Sequence, residues 1–307
     1  MDRFTWARLP EPARTAFEAE FGRVRSTTSR PAGLTVGIAS TVVTDRNTVF
    51  VKAIPARSPA APSYRRELAI ADAMPEHGPA PRLLWVSDAG WITLVWEYLP
   101  GRHVALLLEA DEVMAALVSM RQTLRHVPVE LPAITDDGEK LAVLLAAARR
   151  VIADPPPGLA HVDLYRRAVI RAREDDFAGA ALVHADPATS NMIATDDGVR
   201  LVDWALAARG PTWIDPALLI APLIEAGYSP AAAEAWAARH HPDWAAAPRR
   251  ALDALAVARL LFLTEKIDSG AEWLADGRRR ALWAHQAWVD YRLGTADTVG
   301  AVGYSRA

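Results

Sequence analysis

The chain has 307 residues, 51% hydrophobic and 23% charged, with no biased tract; that composition excludes a disordered or fibrous chain and leaves room for two packed lobes. A net charge of −3 offers no basic field for a nucleic-acid backbone, and the lack of cysteine excludes disulfides, thiolate metal sites and cysteine nucleophiles. The polar start (Asp2, Arg3, Arg8, Glu11) and apolar runs too short to span a bilayer lead to the expectation of a soluble cytoplasmic protein with no membrane partner.

In chain order, Pro10 to Phe21 has helical composition, and the Gly-, Ser- and Thr-rich stretch from Ser29 to Thr41 runs into two β-branched segments, Ile38 to Val43 and Thr48 to Ile54. The polar Asp45-Arg46-Asn47 between them has hairpin length, so they pair antiparallel with Lys52 on the second. After a Pro-rich loop, Tyr64 to Met74 reads as a helix carrying Glu67. Arg82 to Val86 and Trp91 to Tyr98, joined by Asp88-Ala89-Gly90, read as a second hairpin. Pro100-Gly101 breaks the pattern. Beyond it, helical segments are expected near 109–126, 138–153, 160–174, 216–226 and 230–239, with two longer ones within 247–292. Short apolar runs between Ala181 and Val202 interrupt them. The expectation is an α+β protein: residues 1–99 form a lobe around an antiparallel sheet with a helix, and residues 100–307 a larger, mainly helical lobe.

Of 34 basic residues only Lys52, Lys140 and Lys266 are lysines, so a lysine in this chain calls for a reason. The segment Leu182-Val183-His184-Ala185-Asp186-Pro187-Ala188-Thr189-Ser190-Asn191 puts a carboxylate and a side-chain amide five residues apart on a loop after a short strand. Asp203 follows on the next strand. Asp and Asn oxygens meeting across a hairpin are the ligands Mg²⁺ prefers, with water and phosphate oxygens completing its shell, while a second carboxylate can address a substrate hydroxyl. Taken singly, Asp186 is equally well explained as a turn residue, Lys52 as an edge-strand charge, Glu67 as an exposed helix residue and Asp203 as a strand-end cap. Their joint order is what favours a site.

That order resembles the aminoglycoside phosphotransferase family, small-molecule kinases of the protein-kinase-like fold. Its catalytic loop reads His-x-Asp-x-x-x-x-Asn, matched here by His184, Asp186 and Asn191. The resemblance implies that Asp186 is the catalytic base, that Asn191 and Asp203 hold Mg²⁺, and that Lys52, backed by Glu67, holds the phosphates of ATP (or GTP). It further implies a hinge at Trp96 to Gly101, where the backbone of Glu97 and Leu99 would meet the base, with structural support from His184 and Asp215. The segment with Gly33 and Gly37 stands where a phosphate loop would lie, although Gly-x-Gly-x-x-Gly is not present. Trp204 follows Asp203, and only a short segment separates Asp203 from Asp215, which argues against a protein acceptor and a phosphorylated activation loop. The resemblance runs from about Gly33 to Asp215.

The acceptor that the resemblance implies is a hydroxyl of a small molecule, with aminoglycosides, amino sugars, neutral sugars, nucleosides and other natural products all open. Between Ala217 and Asp290 nine acidic side chains face eight basic ones, a balance that does not favour a polycation unless folding gathers Glu225, Glu234, Asp253, Asp268 and Glu272 on one face. His240-His241 reads as a solvated helix end, and most of the seven tryptophans from Trp204 onward read as core packing. The rival reading is a non-catalytic nucleotide-binding module on the same fold. Oligomeric state is left open.

Overall fold

The structure, a computed structural model, describes residues 4–30, 36–75, 78–123, 130–268 and 278–295. Strands β1 (Val24–Ser29), β2 (Ile38–Thr44), β3 (Thr48–Pro55), β4 (Leu83–Asp88) and β5 (Trp91–Glu97) form one antiparallel sheet in the order β1-β2-β3-β5-β4. Helix α1 (Glu11–Phe21) packs on one face and α2 (Ala61–Ala73) on the other. The two-residue period of a strand decides which side chain meets which helix. Val49, Val51 and Val95 join Phe17 and Phe21 of α1, while Phe50, Ile54, Leu94 and Trp96 join Tyr64 of α2. Lys52 stands between Phe50 and Ile54 and so faces α2.

Both hairpins follow the expected segments, with α2 starting three residues before Tyr64. Strand β1 was not foreseen. Its sequence, Val-Arg-Ser-Thr-Thr-Ser, has one apolar residue and no alternation, and five of its six residues are exposed; pairing with β2 along one edge is what makes it a strand.

The larger part contains β6 (Arg102–His103), α3 (Leu106–Thr123), α4 (Lys140–Ala153), α5 (Val162–Arg171), β7 (Ala181–Val183), β8 (Met192–Thr195), β9 (Gly198–Leu201), β10 (Ala208–Gly210), α6 (Ile214–Ala226), α7 (Pro230–His240), α8 (Arg249–Asp268) and α9 (Arg278–Leu293). Strands β6-β8-β9 form one small sheet, and β7 pairs with β10 in another. A single core runs through the helices. Helix α6 is buried on nearly every side from Ile214 to Ile224, and α8 buries Ala254 to Ala258 in the same core, so these two lie deep in the lobe. Among the described residues no helix is long and apolar enough to cross a membrane. The architecture is the two-lobed, kinase-like one: an antiparallel sheet with a helix, joined to a larger helical lobe.

Several contacts cross between the parts besides the connection at Gly101, among them the Lys52–Asp203 ion pair and bonds from Arg200 to Ala80 and Glu97. The Leu201 amide donates to the Pro79 carbonyl (2.8 Å), and Arg66 of α2 grips Glu139, just before α4, through two bonds of 2.8 Å. A Cβ at Gly101 would lie 2.2 Å from the Ala194 carbonyl oxygen, so the chain can pass this close to β8 only without a side chain.

Candidate active site

Helix α2 buries one stripe, Ala61, Tyr64, Glu67 and Ile70, spaced three residues apart. Glu67 is the charged member of that stripe, 2% exposed, and a carboxylate there needs a partner. The partner is Lys52 of β3, whose ammonium contacts Glu67 Oε1, lies 2.9 Å from Asp203 Oδ1 and sits 5.4 Å from the centre of the Tyr64 ring. One cation is thus shared by two carboxylates. Burial opposes the Lys52 charge, but Asp203 and Glu67 outweigh it and hold its pKa well above the ordinary value. Lys52 in turn holds Asp203 well below the usual carboxylate range, against some burial. Burial raises Glu67 to about 8, with Lys52 pulling the other way and Asp203 adding to the rise. Asp203 is the open member of the cluster, its side chain 45% exposed.

The second group sits on the loop between β7 and β8. Asp215, in the first turn of α6 and 1% exposed, accepts the backbone N–H groups of His184 and Ala185 at 2.8 Å each. Burial raises its pKa. Ala185 is held in the left-handed region at φ 61°, which an L-residue adopts only when its surroundings impose it. His184 is fully buried: Nε2 donates to the Val202 carbonyl (3.0 Å), Nδ1 accepts from the Asp186 amide (3.3 Å), and the ring lies 4.7 Å from that of Trp204. These bonds turn the Asp186 side chain outward, 33% exposed.

Asn191 donates through Nδ2 to both the backbone oxygen and Oδ2 of Asp186, at 3.0 Å each, which turns its own Oδ1 away from that carboxylate. The β8–β9 hairpin pairs Met192 with Leu201, and the Val202 amide bonds the Asn191 carbonyl at 2.9 Å, so Asn191 and Asp203 flank the same end of one hairpin. An amide oxygen beside an exposed carboxylate suits a hard divalent ion that takes its other ligands from water and phosphate; the donor set fits Mg²⁺.

The structure thus brings together Lys52, Glu67 and Asp203, and separately His184, Asp186, Asn191 and Asp215, with the β8–β9 hairpin between them. Glu97 ends β5, and its carboxylate accepts from the Arg82 amide (3.0 Å) and Nε (2.9 Å) and from Arg200 (3.4 Å); Leu99 lies two residues further on. At Gly37 a Cβ would lie 2.4 Å from the Tyr64 hydroxyl, a packing reason for glycine there; Gly33 lies outside the described residues. The five acidic residues singled out as a platform do not gather among the described residues. Glu234 and Asp253 both bind Arg292, Glu225 faces Arg280, Asp268 ends α8, and Glu272 lies outside the described residues.

Sequence reasoning missed one member of the site. Lys140, the first residue of α4, places Nζ 2.9 Å from Asp186 Oδ1, so both oxygens of that carboxylate are engaged. Its approach is set by the preceding residue, Glu139, which Arg66 holds; Arg66 and Glu67, adjacent on α2, therefore reach both groups. The scarcity of lysine marked Lys140, but no spacing rule tied it to Asp186, 46 positions later.

The two-lobed scaffold, with its ion cluster and loop carboxylate, has relatives. Residues 39–251 match the model of the phosphotransferase enzyme family (APH), and the chain belongs to that family. No curated protein matches it. Among solved structures it is similar to the choline kinase LicA from Streptococcus pneumoniae (15% identity, 92% of this chain and 99% of that one, TM-score 0.61). It is also similar to a choline/ethanolamine kinase family protein from Mesorhizobium loti (13%, 94% and 95%, 0.62). A third match is a thermostable mutant of the aminoglycoside phosphotransferase APH(4)-Ia, complexed with AMP-PNP and hygromycin B (14%, 94% and 100%, 0.59). At these identities the likeness is one of fold.

Proposed function

We propose that the chain is a small-molecule kinase that moves the terminal phosphoryl group of Mg-ATP (or Mg-GTP) to an acceptor hydroxyl in the cytoplasm. The observation that carries this reading is the convergence of Lys52, Glu67 and Asp203 on one side of the β8–β9 hairpin with Asp186 and Asn191 at its base. Lys52 holds the α- and β-phosphates as a compact point charge, steadied by Glu67 from behind. The base lies where residues 1–99 meet residues 100–307, against the backbone of Glu97 and Leu99, with the segment containing Gly33 and Gly37 over the phosphates.

Asn191 Oδ1 and the Asp203 carboxylate are the oxygens that hold Mg²⁺, which when bound neutralises charge on the phosphates. Asp186 orients the acceptor hydroxyl and takes its proton as the acceptor oxygen bonds to phosphorus and the bond to the departing nucleoside diphosphate breaks. His184 and Asp215 keep that loop in place. The catalytic contribution is positioning and electrostatic stabilisation. Relatives named for choline, ethanolamine and an aminoglycoside support a small hydroxyl compound, and no nucleic acid, as the acceptor.

The test is nucleoside-diphosphate release from Mg-ATP and Mg-GTP across a panel of sugars, amino sugars, aminoglycosides and nucleosides. Asp186→Ala is expected to lose acceptor-dependent release by roughly a hundred-fold or more while nucleotide binding survives, and Asp203→Ala to weaken Mg-nucleotide binding itself. Equal, mild effects of both substitutions on both measurements would refute the roles. Nucleotide binding without release from any acceptor would favour the non-catalytic module.

A further inference from the structure

Of the three lysines in the chain, two stand in the candidate site. Lys52 is shared by Glu67 and Asp203, and Lys140 binds Asp186; the third, Lys266, lies in the last turn of α8 over the Phe262 ring. Lys140 also stands at the unfavourable end of its helix. It opens the 14-residue α4, where the macrodipole is positive, and no acid in that first turn offsets it. The preceding residue, Glu139, has both carboxylate oxygens taken by Arg66. Among the described residues the acid that contacts Lys140 is Asp186 alone. A rare residue type in a disfavoured position, set 2.9 Å from the candidate base, needs an explanation.

Holding Asp186 in place does not account for it. Asn191 already donates to the backbone oxygen and Oδ2 of Asp186, His184 Nδ1 accepts its amide, and Asp215 fixes the two residues before it. Those contacts position the carboxylate without adding a permanent positive charge. In the transfer assigned above, the acceptor oxygen bonds to phosphorus, the bond to the nucleoside diphosphate breaks with its electron pair leaving on the diphosphate, and the acceptor's proton passes to Asp186. Asp186 thereby loses its charge, while Lys140 stays an ammonium throughout and is left without its anion. Negative charge is at that moment spread over the phosphoryl oxygens. An acceptor oxygen within hydrogen-bond reach of Asp186 brings those oxygens within a few ångströms of Lys140 Nζ. The Lys140 side chain is 24% exposed, so it is not sealed in by its neighbours. A lysine suits this task, because three donors on a flexible stem let one hold Oδ1 while another turns to a phosphoryl oxygen.

We infer that Lys140 is a second catalytic cation, whose ammonium binds the phosphoryl group as it passes from the nucleotide to the acceptor at Asp186. The inference rests on the phosphotransfer reading above and adds to it a residue outside the loop motif. Lys52 serves the α- and β-phosphates, and Lys140 serves the group in transit. One helix sets both cations: on α2, Glu67 holds Lys52, and the adjacent Arg66 anchors the residue before Lys140.

The test uses aluminium fluoride, an anion that beside Mg-ADP stands in for the phosphoryl group in transit. Mg-ADP is titrated by calorimetry, with and without aluminium fluoride, into the wild type, Lys140→Met, Lys140→Arg, Asp186→Asn and the double variant Lys140→Met with Asp186→Asn. In the wild type aluminium fluoride is expected to tighten Mg-ADP binding at least about a hundred-fold. Lys140→Met should lose about ten-fold to a hundred-fold of that gain, the contribution of one charge-assisted hydrogen bond. Mg-ADP alone should bind it within about two-fold of the wild type. Its thermal midpoint should stay within about 2 °C, since the ion pair removed is partly exposed and the helix start disfavours a cation. Lys140→Arg should keep part of the gain. Removing Lys140 should cost as much of the gain in the Asp186→Asn background, because the ammonium acts on the phosphoryl group and not through the carboxylate.

No gain in the wild type, or an equal gain in Lys140→Met, would overturn the inference. So would a Mg-ADP affinity that falls along with the gain, which would make Lys140 a brace of the nucleotide site. A loss that disappears in Asp186→Asn would overturn it too, by making Lys140 a positioning residue for Asp186. If acceptor-dependent ADP release from Mg-ATP is the same in the wild type and Lys140→Met, the second cation falls and phosphotransfer stands. If the gain depends on Lys140 but no acceptor elicits Asp186-dependent release, transfer to an acceptor falls while the Lys140 contact stands.

Discussion

Replacing Asp215 with alanine tests how the catalytic loop is held. The carboxylate is 1% exposed and accepts two backbone N–H groups at 2.8 Å, from His184 and Ala185, both fully buried residues. Leaving two buried donors unsatisfied costs about 1–3 kcal/mol each, or roughly 2–6 kcal/mol together. Burial raises the Asp215 pKa, so the wild type already bears a cost for the buried charge that the variant recovers; about 2–4 kcal/mol is the expected net loss. At about 2–4 °C per kcal/mol for a chain somewhat smaller than this one, the thermal midpoint should fall by roughly 4–15 °C, read by calorimetry.

Function should suffer more than stability. Ala185, at φ 61°, no longer has its amide pinned, so the loop can relax and carry Asp186 away from its position. Acceptor-dependent turnover should drop by about a hundred-fold, as displacements near 1 Å do, while Mg-nucleotide affinity, assigned to Lys52 and Asp203, changes little. A midpoint within about 1 °C of wild type would refute the energetic reasoning, and nucleotide affinity falling in step with turnover would refute the division of the site.

Gly101→Ala would place a Cβ 2.2 Å from the Ala194 carbonyl oxygen, a backbone atom that cannot step aside, and should cost about 1–3 kcal/mol, measured by denaturant unfolding; an unchanged midpoint would show that the strands can separate here freely. Arg66→Met and Glu139→Leu should each cost roughly 3–5 kcal/mol because each strands a half-buried charge, whereas the double variant should cost no more than either alone; additive losses in a double-mutant cycle would deny the coupling. His285, neutral in the fold with its pKa lowered to about 3, lets the unfolded chain take up a proton below about pH 6.5 that the native state refuses, so stability is lost as pH falls. Between pH 6.5 and pH 5 this residue alone should remove about 2 kcal/mol, and His285→Gln should flatten the slope by that amount in urea titrations at the two pH values. An equal slope in the variant would mean that His285 is protonated in the native state.

The candidate site was legible in part because its members lie in short motifs with local causes. Asp186 and Asn191 share one loop, and Asp203 is one hairpin away, so their meeting follows from turn geometry alone. Lys52 and Glu67 were legible through a resemblance rather than a spacing rule, since 15 positions and a Pro-rich loop separate them. The stripe of α2 contains a further signal: a glutamate at the buried spacing of Ala61, Tyr64 and Ile70 demands a cation, whatever the family. Strand β1, with its single valine, carries no pattern until β2 offers it an edge.

By itself the sequence determined the alternation of elements, the two hairpins, the lobes and the loop carboxylate, because period-2 and period-3.6 patterning, turn residues and helix breakers act within a few residues of one another. What only the tertiary structure decided is the company each charge keeps: Lys140 on Asp186, Glu139 on Arg66, Glu234 and Asp253 on Arg292, and Arg259 on His285 and the Leu218 carbonyl. The physical reason is that charge pairing depends on which distant helix faces approach within a few ångströms, and the cost of leaving a charge unpaired depends on burial; a linear spacing records neither.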